Sequence, residues 1–386
     1  MRARMGSSAF RTLGPLALVA LLGGVAPSSA EAQVRWRDLV VTLGGSVEGY
    51  AGNLANVAAA VVDSANGKIT DHVVAVVGEM GVRGSMSVFG TPTRSFDVSF
   101  DGGLRQAAAV GFERQDYAPR EWVGSASGRL NQAMGSWGSL LVGGRLRGRQ
   151  VQDRPPMPMF VQPGYAAAQG TLGVVTRALD GVSLDVQADV EWSDYRAFVG
   201  VPQIDLLDRR SSGLEAGVRW GGGSTVRFYG GYRWTSFRNQ LSGDEEDPHR
   251  RDHTARVGLE WTYSGSIFAQ VGVDGTLNRS NSLRPEYDAL SVRALLTAPL
   301  PQGFSANLYA LLSVKSYTSD IDFARLVPGE EADNASIAYF QLGRPLASNL
   351  DGAFRLGWTR AETDFGNAYY RRFGASVQFN YRPMGF

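Results

Sequence analysis

Residues 181–192 read Gly181-Val182-Ser183-Leu184-Asp185-Val186-Gln187-Ala188-Asp189-Val190-Glu191-Trp192. Val182, Leu184, Val186, Ala188, Val190 and Trp192 form one set; Ser183, Asp185, Gln187, Asp189 and Glu191 form the other. Successive side chains of an extended strand point to opposite faces, so this segment is a strand with one apolar and one charged face. The same design recurs. Val226, Phe228, Gly230, Tyr232 and Trp234 stand against Thr225, Arg227, Tyr229, Arg233 and Thr235. Ala255, Val257, Leu259, Trp261 and Tyr263 oppose Arg256, Gly258, Glu260 and Thr262. Near the end of the chain, Phe373, Ala375, Val377, Phe379 and Tyr381 oppose Arg372, Ser376, Gln378 and Asn380.

Alternation alone also describes a soluble β-sandwich; strand length separates the two. Soluble strands average about five or six residues, whereas these runs last roughly twice that. At about 3.3 Å per residue and a tilt near 40°, such a strand crosses roughly 30–35 Å, a hydrocarbon layer with both its interfaces. The polar faces carry charges that a closed soluble core could not satisfy. An apolar outside around a polar inside is the arrangement of a transmembrane barrel.

The whole chain can be divided this way. Strands are expected at 39–52, 73–89, 93–106, 119–133, 138–151, 165–177, 181–195 and 210–221. Eight more follow at 224–237, 251–263, 266–279, 285–298, 303–318, 334–344, 350–362 and 368–382. The expected fold class is therefore all-β, a single antiparallel transmembrane barrel of about 16 strands, the even number usual for single-chain bacterial barrels. Tight turns at Gly135 to Gly138, Leu179 to Gly181, Gly221 to Gly223, Ser264 to Ser266 and Pro299 to Gly303 alternate with longer links. Those links fall at 53–72, 107–118, 152–164, 196–209, 238–250 and 319–333, while 280–284 and 363–367 are short for that side. Outward aromatics gather at strand ends: Trp220, Tyr263, Phe304 and Tyr381 at the short-turn rim, Trp192, Trp234, Trp358 and Tyr369 at the other.

Ahead of the strands, Arg2, Arg4 and Arg11 precede an apolar run from Leu13 to Val25, and Ala30-Glu31-Ala32 ends it with a small-x-small pattern. These are the parts of a secretory signal, so 1–32 is expected to be a cleaved signal peptide and 33–386 the barrel. Removing three arginines and one glutamate from 38 basic and 37 acidic residues leaves a net charge close to −1. That balance gives no bulk argument for nucleic acid or acidic partners, and no nucleic-acid partner is expected. The chain has no cysteine, so disulfides, thiolate metal sites and cysteine nucleophiles are excluded.

With these features the chain resembles the bacterial outer-membrane β-barrels, porin-like families among them, over essentially all of 33–386. The resemblance rests on pattern, with no diagnostic motif. It implies integral outer-membrane localisation in a Gram-negative cell and contact with outer-membrane lipid and lipopolysaccharide. It leaves a homo-oligomer open. It also implies insertion by the barrel-assembly machinery, which reads a final strand ending in an aromatic. The chain ends in Phe386, yet Phe379 and Tyr381 are out of step with it and Pro383 and Gly385 intervene. Either Tyr381 closes the strand or a bulge restores the register. General porins fold their third outer loop inward; here that loop is 152–164, stiffened by prolines and lacking the acidic residues of that constriction.

Function on such a wall would reside in the lumen. The expected pore-lining residues are Arg129, Arg145, Arg147 and Arg149, an acidic ladder of Asp185, Asp189 and Glu191, and a basic stretch of Arg219, Arg227, Arg233 and Arg256. Fixed charges in a pore tune which ions pass; the plainer alternative is that they pair across strands and stiffen the wall. The expected function is a porin-like channel for passive diffusion of small hydrophilic solutes, mildly favouring anions. The alternative is the barrel of an export or surface-assembly system, guiding an anionic polymer and relying on periplasmic partners. Catalysis is not expected. Gly124-Ser125-Ala126-Ser127-Gly128 has Ala126 where a nucleophile elbow needs serine. His249 and His253 have the spacing of a zinc pair without its glutamate. Asp71-His72 and Asp252-His253 share with barrel proteases only a place near the outer rim. No cofactor or metal is expected, although Asp244 to Asp247 is an acidic loop able to meet a cation.

Overall fold

A computed structural model of the chain describes residues 34–52, 72–110, 120–152, 164–177, 179, 181–195, 207–242, 248–282, 286–318, 335–362 and 369–383. The expected signal peptide and the loop segments 153–163 and 243–247 lie outside the described residues.

Sixteen strands form one closed barrel. They are β1 (Arg35–Gly52), β2 (His72–Gly90), β3 (Arg94–Val110), β4 (Arg120–Ala133), β5 (Gly138–Gln152), β6 (Tyr165–Thr176), β7 (Val182–Tyr195) and β8 (Arg209–Gly221). Then come β9 (Ser224–Leu241), β10 (His249–Ser264), β11 (Phe268–Ser280), β12 (Tyr287–Pro299), β13 (Ser305–Tyr317), β14 (Ala335–Ala347), β15 (Leu350–Glu362) and β16 (Tyr369–Tyr381). Each pairs antiparallel with its neighbours in sequence, and β1 closes the ring on β16 from Val41 opposite Tyr381 to Gly52 opposite Tyr370. Closure removes the exposed edge that an open sheet would leave in lipid.

The links separate by length without exception. Two to five residues join strands at one end of the barrel and six to nineteen at the other. The two links that look short in the sequence, after β11 and after β15, each hold six residues and still exceed the longest turn of the opposite end.

Strand limits differ from the sequence pattern where the alternation breaks. β1 starts at Arg35 because a register shift between Trp36 and Asp38 interrupts the period and then continues the pairing with β2. β3 runs on through Ala107 to Val110, a stretch too uniformly apolar to read as alternating. β14 continues to Ala347 past an irregularity at Pro345. β16 is in unbroken register with β1 and β15 as far as Tyr381, which closes the strand among the described residues, and Phe386 lies outside them.

The outward face carries the apolar set. Val190 is 61 % exposed, Leu308 42 % and Leu312 49 %, and Val257, Leu259, Leu290 and Val377 are similarly bare. A continuous apolar exterior of this extent on strands of twelve to nineteen residues belongs in lipid. The chain is an integral outer-membrane β-barrel. Aromatics mark both rims. At the short-turn end Trp261 stacks on Tyr263 at 6.4 Å, Trp220 and Tyr381 are exposed, and Trp36 meets Phe100 edge-on at 6.2 Å. Trp122 and Trp234 are exposed toward the other rim. The Tyr369 side chain lies outside the described residues.

The lipid face makes a direct prediction. Val257→Arg places a charge in the middle of β10 on the outward side and is expected to cost about 2–4 kcal/mol in a bilayer. Urea unfolding from vesicles measures this. A change within experimental error would mean that this face is not in hydrocarbon.

Candidate functional site

The inward set of every strand lines the lumen, and the cross-strand register decides which charges meet. One group is built around Arg105 on β3. Its guanidinium reaches Glu48 on β1 at 2.6 Å, Glu79 on β2 at 2.9 Å and Glu121 on β4 at 3.5 Å. Arg149 on β5 lies 2.7 Å from Glu121, and Arg372 on β16 lies 3.9 Å from Glu48. Glu48 is 6 % exposed. Three arginines and three glutamates from five neighbouring strands and β16 thus form one balanced network, in which charge-assisted bonds offset the cost of taking the carboxylates from water.

A second group lies across β7 to β12. Arg227 holds Asp185 through two bonds of 3.1 and 2.5 Å and Glu215 at 2.9 Å. Arg233 binds Asp189 at 2.8 Å. Arg256 grips Asp274 at 3.2 and 2.7 Å, while Arg293 stands 3.8 Å from the same carboxylate. Tyr229, nearly buried, lies between Arg227 and Arg256, with their guanidinium carbons 4.9 and 5.6 Å from its ring centre. The ring lies over Gly258, where a Cβ would run into it. The glycine therefore lets the aromatic ring lie flat against the wall.

All eleven pore-lining candidates face inward, yet they do different things. The three arginines of β5 look alike in sequence and part company in the structure. Arg149 pairs with Glu121 and Arg147 with Glu191 at 2.6 Å, whereas Arg145 has no ion pair or hydrogen bond among the described residues. Arg129 and Arg219 are likewise without one. Asp185, Asp189 and Glu191 are each held by an arginine, so the acidic ladder is neutralised. The basic stretch of β8 to β10 is interleaved with Asp185, Asp189, Glu215 and Asp274, and Arg227, Arg233 and Arg256 are consumed in pairs. Arg105, Glu48, Glu79, Glu121 and Arg293 carry much of the wall and are absent from the sequence candidates. Their inward parity was readable; their meeting needed the register.

Asp252 and His253 do not act together. Asp252 faces inward, buried in a pair with Arg250 at 2.5 Å, while Arg250 lies 4.3 Å above the Phe237 ring. His253 faces outward and bonds Tyr232 through Nδ1. Neighbours along a strand point to opposite faces, which separates the dyad. The Asp71-His72 dyad and the Asp244 to Asp247 loop lie outside the described residues, except that His72 begins β2. Ser125 and Ser127 face Asp101 and Ser99 in ordinary cross-strand hydrogen bonds.

No family model matches the sequence, and no curated protein sequence matches it. Among solved structures, OccK2 of Pseudomonas aeruginosa in complex with glucuronate aligns at 11 % identity, covering 90 % of this chain and 98 % of that one, with a TM-score of 0.43. OmpT of Vibrio cholerae aligns at 10 % identity over 92 % and 100 % of the two chains, with a TM-score of 0.42. The toluene transporter TodX of P. putida gives 9 % identity, 92 % of each chain and a TM-score of 0.39. Similarities this distant say nothing of what passes through the barrel.

Proposed function

We propose that the barrel is a passive outer-membrane channel for small hydrophilic solutes that favours anions. Sixteen strands are enough to enclose an aqueous lumen, and the inward wall is rich in charged and polar side chains. The charge left over after pairing carries the reading. The Arg105 network balances three cations against three carboxylates, and the group around Arg227 and Arg256 balances four against four. Such clusters project little field down the pore. What remains among the described inward residues includes Arg83, Arg129, Arg145 and Arg219 without partners, Arg355 held by neutral Gln341 and Tyr339, and Lys315 over the Tyr287 ring. Against them stand Asp38 and Glu260 without partners and Asp101 bonded to Ser125. The surplus is cationic and modest, so the selectivity is weak rather than exclusive.

The test is single-channel recording of the refolded barrel in a KCl gradient. Steady conductance with a reversal potential on the chloride side supports the proposal. A sealed, silent barrel would sink it, and a potential on the potassium side would sink the anion preference alone.

A further inference from the structure

The inner wall is not uniform. Between β7 and β13 it forms a recess of about 490 Å³, within the size range of small-molecule sites. Its charged lining comprises Arg233, Arg256, Arg293 and Lys315 with Asp189, Glu215 and Asp274. The cations are not equivalent. Arg233 and Arg256 each hold a carboxylate within 2.8 Å, and Lys315 rests 3.9 Å above the Tyr287 ring. Arg293 differs. Its one ion-pair contact among the described residues is Asp274, 3.8 Å away, and the oxygen it approaches already takes a 2.7 Å bond from Arg256 and a longer one from Tyr229. Asp274 is therefore satisfied without Arg293, whose side chain is 37 % exposed and lines the recess with no hydrogen bond from its guanidinium among the described residues.

The rest of the lining is chemically specific. Thr276, Ser291 and Ser313 present hydroxyls, the two serines bonded to each other at 3.1 Å. Tyr309 stacks on Tyr339 at 5.3 Å, and Arg355 lies 4.7 Å from the far ring. The Tyr309 ring is thus a fixed flat surface at the side of the recess. A guanidinium fork selects a planar carboxylate, hydroxyls select a hydroxylated body, and an aromatic face accepts the C–H side of such a body.

We propose that this recess is a binding subsite for small hydroxylated monocarboxylates, with the carboxylate on Arg293 and the body along Ser291, Ser313 and Tyr309. The subsite rests on the channel reading for its role in transport, where binding must be firm enough to select and weak enough to release. Its occupancy is measurable independently of conduction.

Equilibrium dialysis of labelled gluconate against the full barrel in detergent tests it, with sorbitol and acetate as competitors. Gluconate should bind saturably, with each competitor about tenfold weaker or more, because sorbitol lacks the head and acetate lacks the body. Arg293→Gln should weaken gluconate by about tenfold or more, and heat-modifiable gel migration should show that this variant still folds. Ser313→Ala, a smaller change, should weaken gluconate and leave acetate unaffected. Gluconate binding no better than acetate, or indifferent to Arg293→Gln in a folded barrel, overturns the subsite. Binding without KCl conductance keeps the subsite and defeats the channel, and conductance without binding does the reverse.

Discussion

Arg105→Met is expected to be the most destabilising single substitution in the lumen, lowering stability by roughly 2–4 kcal/mol. The reason is the number of charges that depend on this one guanidinium. Glu48, Glu79 and Glu121 all lie within 3.5 Å of it, and Glu48 is almost fully buried. Removing the cation leaves Glu48 with Ser46 and with Arg372 at 3.9 Å, and Glu79 with Gln378 and no other ion pair among the described residues, whereas Glu121 keeps Arg149 at 2.7 Å. The cost falls below that of a fully dry pair because Arg105 itself is 26 % exposed to the lumen. Urea midpoints of the vesicle-embedded barrel measure it, and Arg129→Met, which removes an unpaired cation, is the reference. Adding Glu48→Gln to Arg105→Met should recover a good part of the loss, since a neutral amide does not need the lost partner. If Arg105→Met costs no more than Arg129→Met, the network does not hold the wall together.

The second large effect concerns ion preference. Arg129→Glu combined with Arg145→Glu exchanges two unpaired cations on adjacent strands for two anions. It is expected to turn the weak anion preference into a cation preference, changing the permeability ratio by about an order of magnitude at low salt, where screening lengths approach the pore dimension. The informative comparison is a swap of paired charges, Arg147→Glu with Glu191→Arg. That swap leaves the net lumen charge unchanged and should barely move the reversal potential. An equal response from both double variants would show that pairing does not govern what the permeating ion feels.

These two expectations separate residues that sit close together in sequence and look alike there. Arg145, Arg147 and Arg149 recur every second residue, so their common inward face follows from strand geometry alone. Nothing local says that the last two have carboxylates within reach and the first does not. Glu191 lies 44 residues beyond Arg147, and Glu121 comes to Arg149 from the preceding strand. Arg105 is harder still. It sits in Gly102-Gly103-Leu104-Arg105-Gln106, with no ladder to draw attention to it. Two of its three partners, Glu79 and Glu48, lie 26 and 57 residues away along the chain.

The sequence by itself determined the barrel, the number of strands, their direction and the face on which nearly every residue lies. All of these follow from a period of two and from loop lengths, which are local quantities. Its largest errors at strand ends fell where a bulge, a proline or a uniform apolar run suspended the period, as at Trp36, Pro345, Ala107 to Val110 and the irregular pairing of β9 with β10 near Leu241. The tertiary structure alone decided which inward charges cancel and which remain, and where the wall opens into a recess. A one-residue change of register exchanges inward for outward, and a two-residue change exchanges every charge partner. Register is set across the ring by sixteen pairings that must close together, and no single strand contains that information.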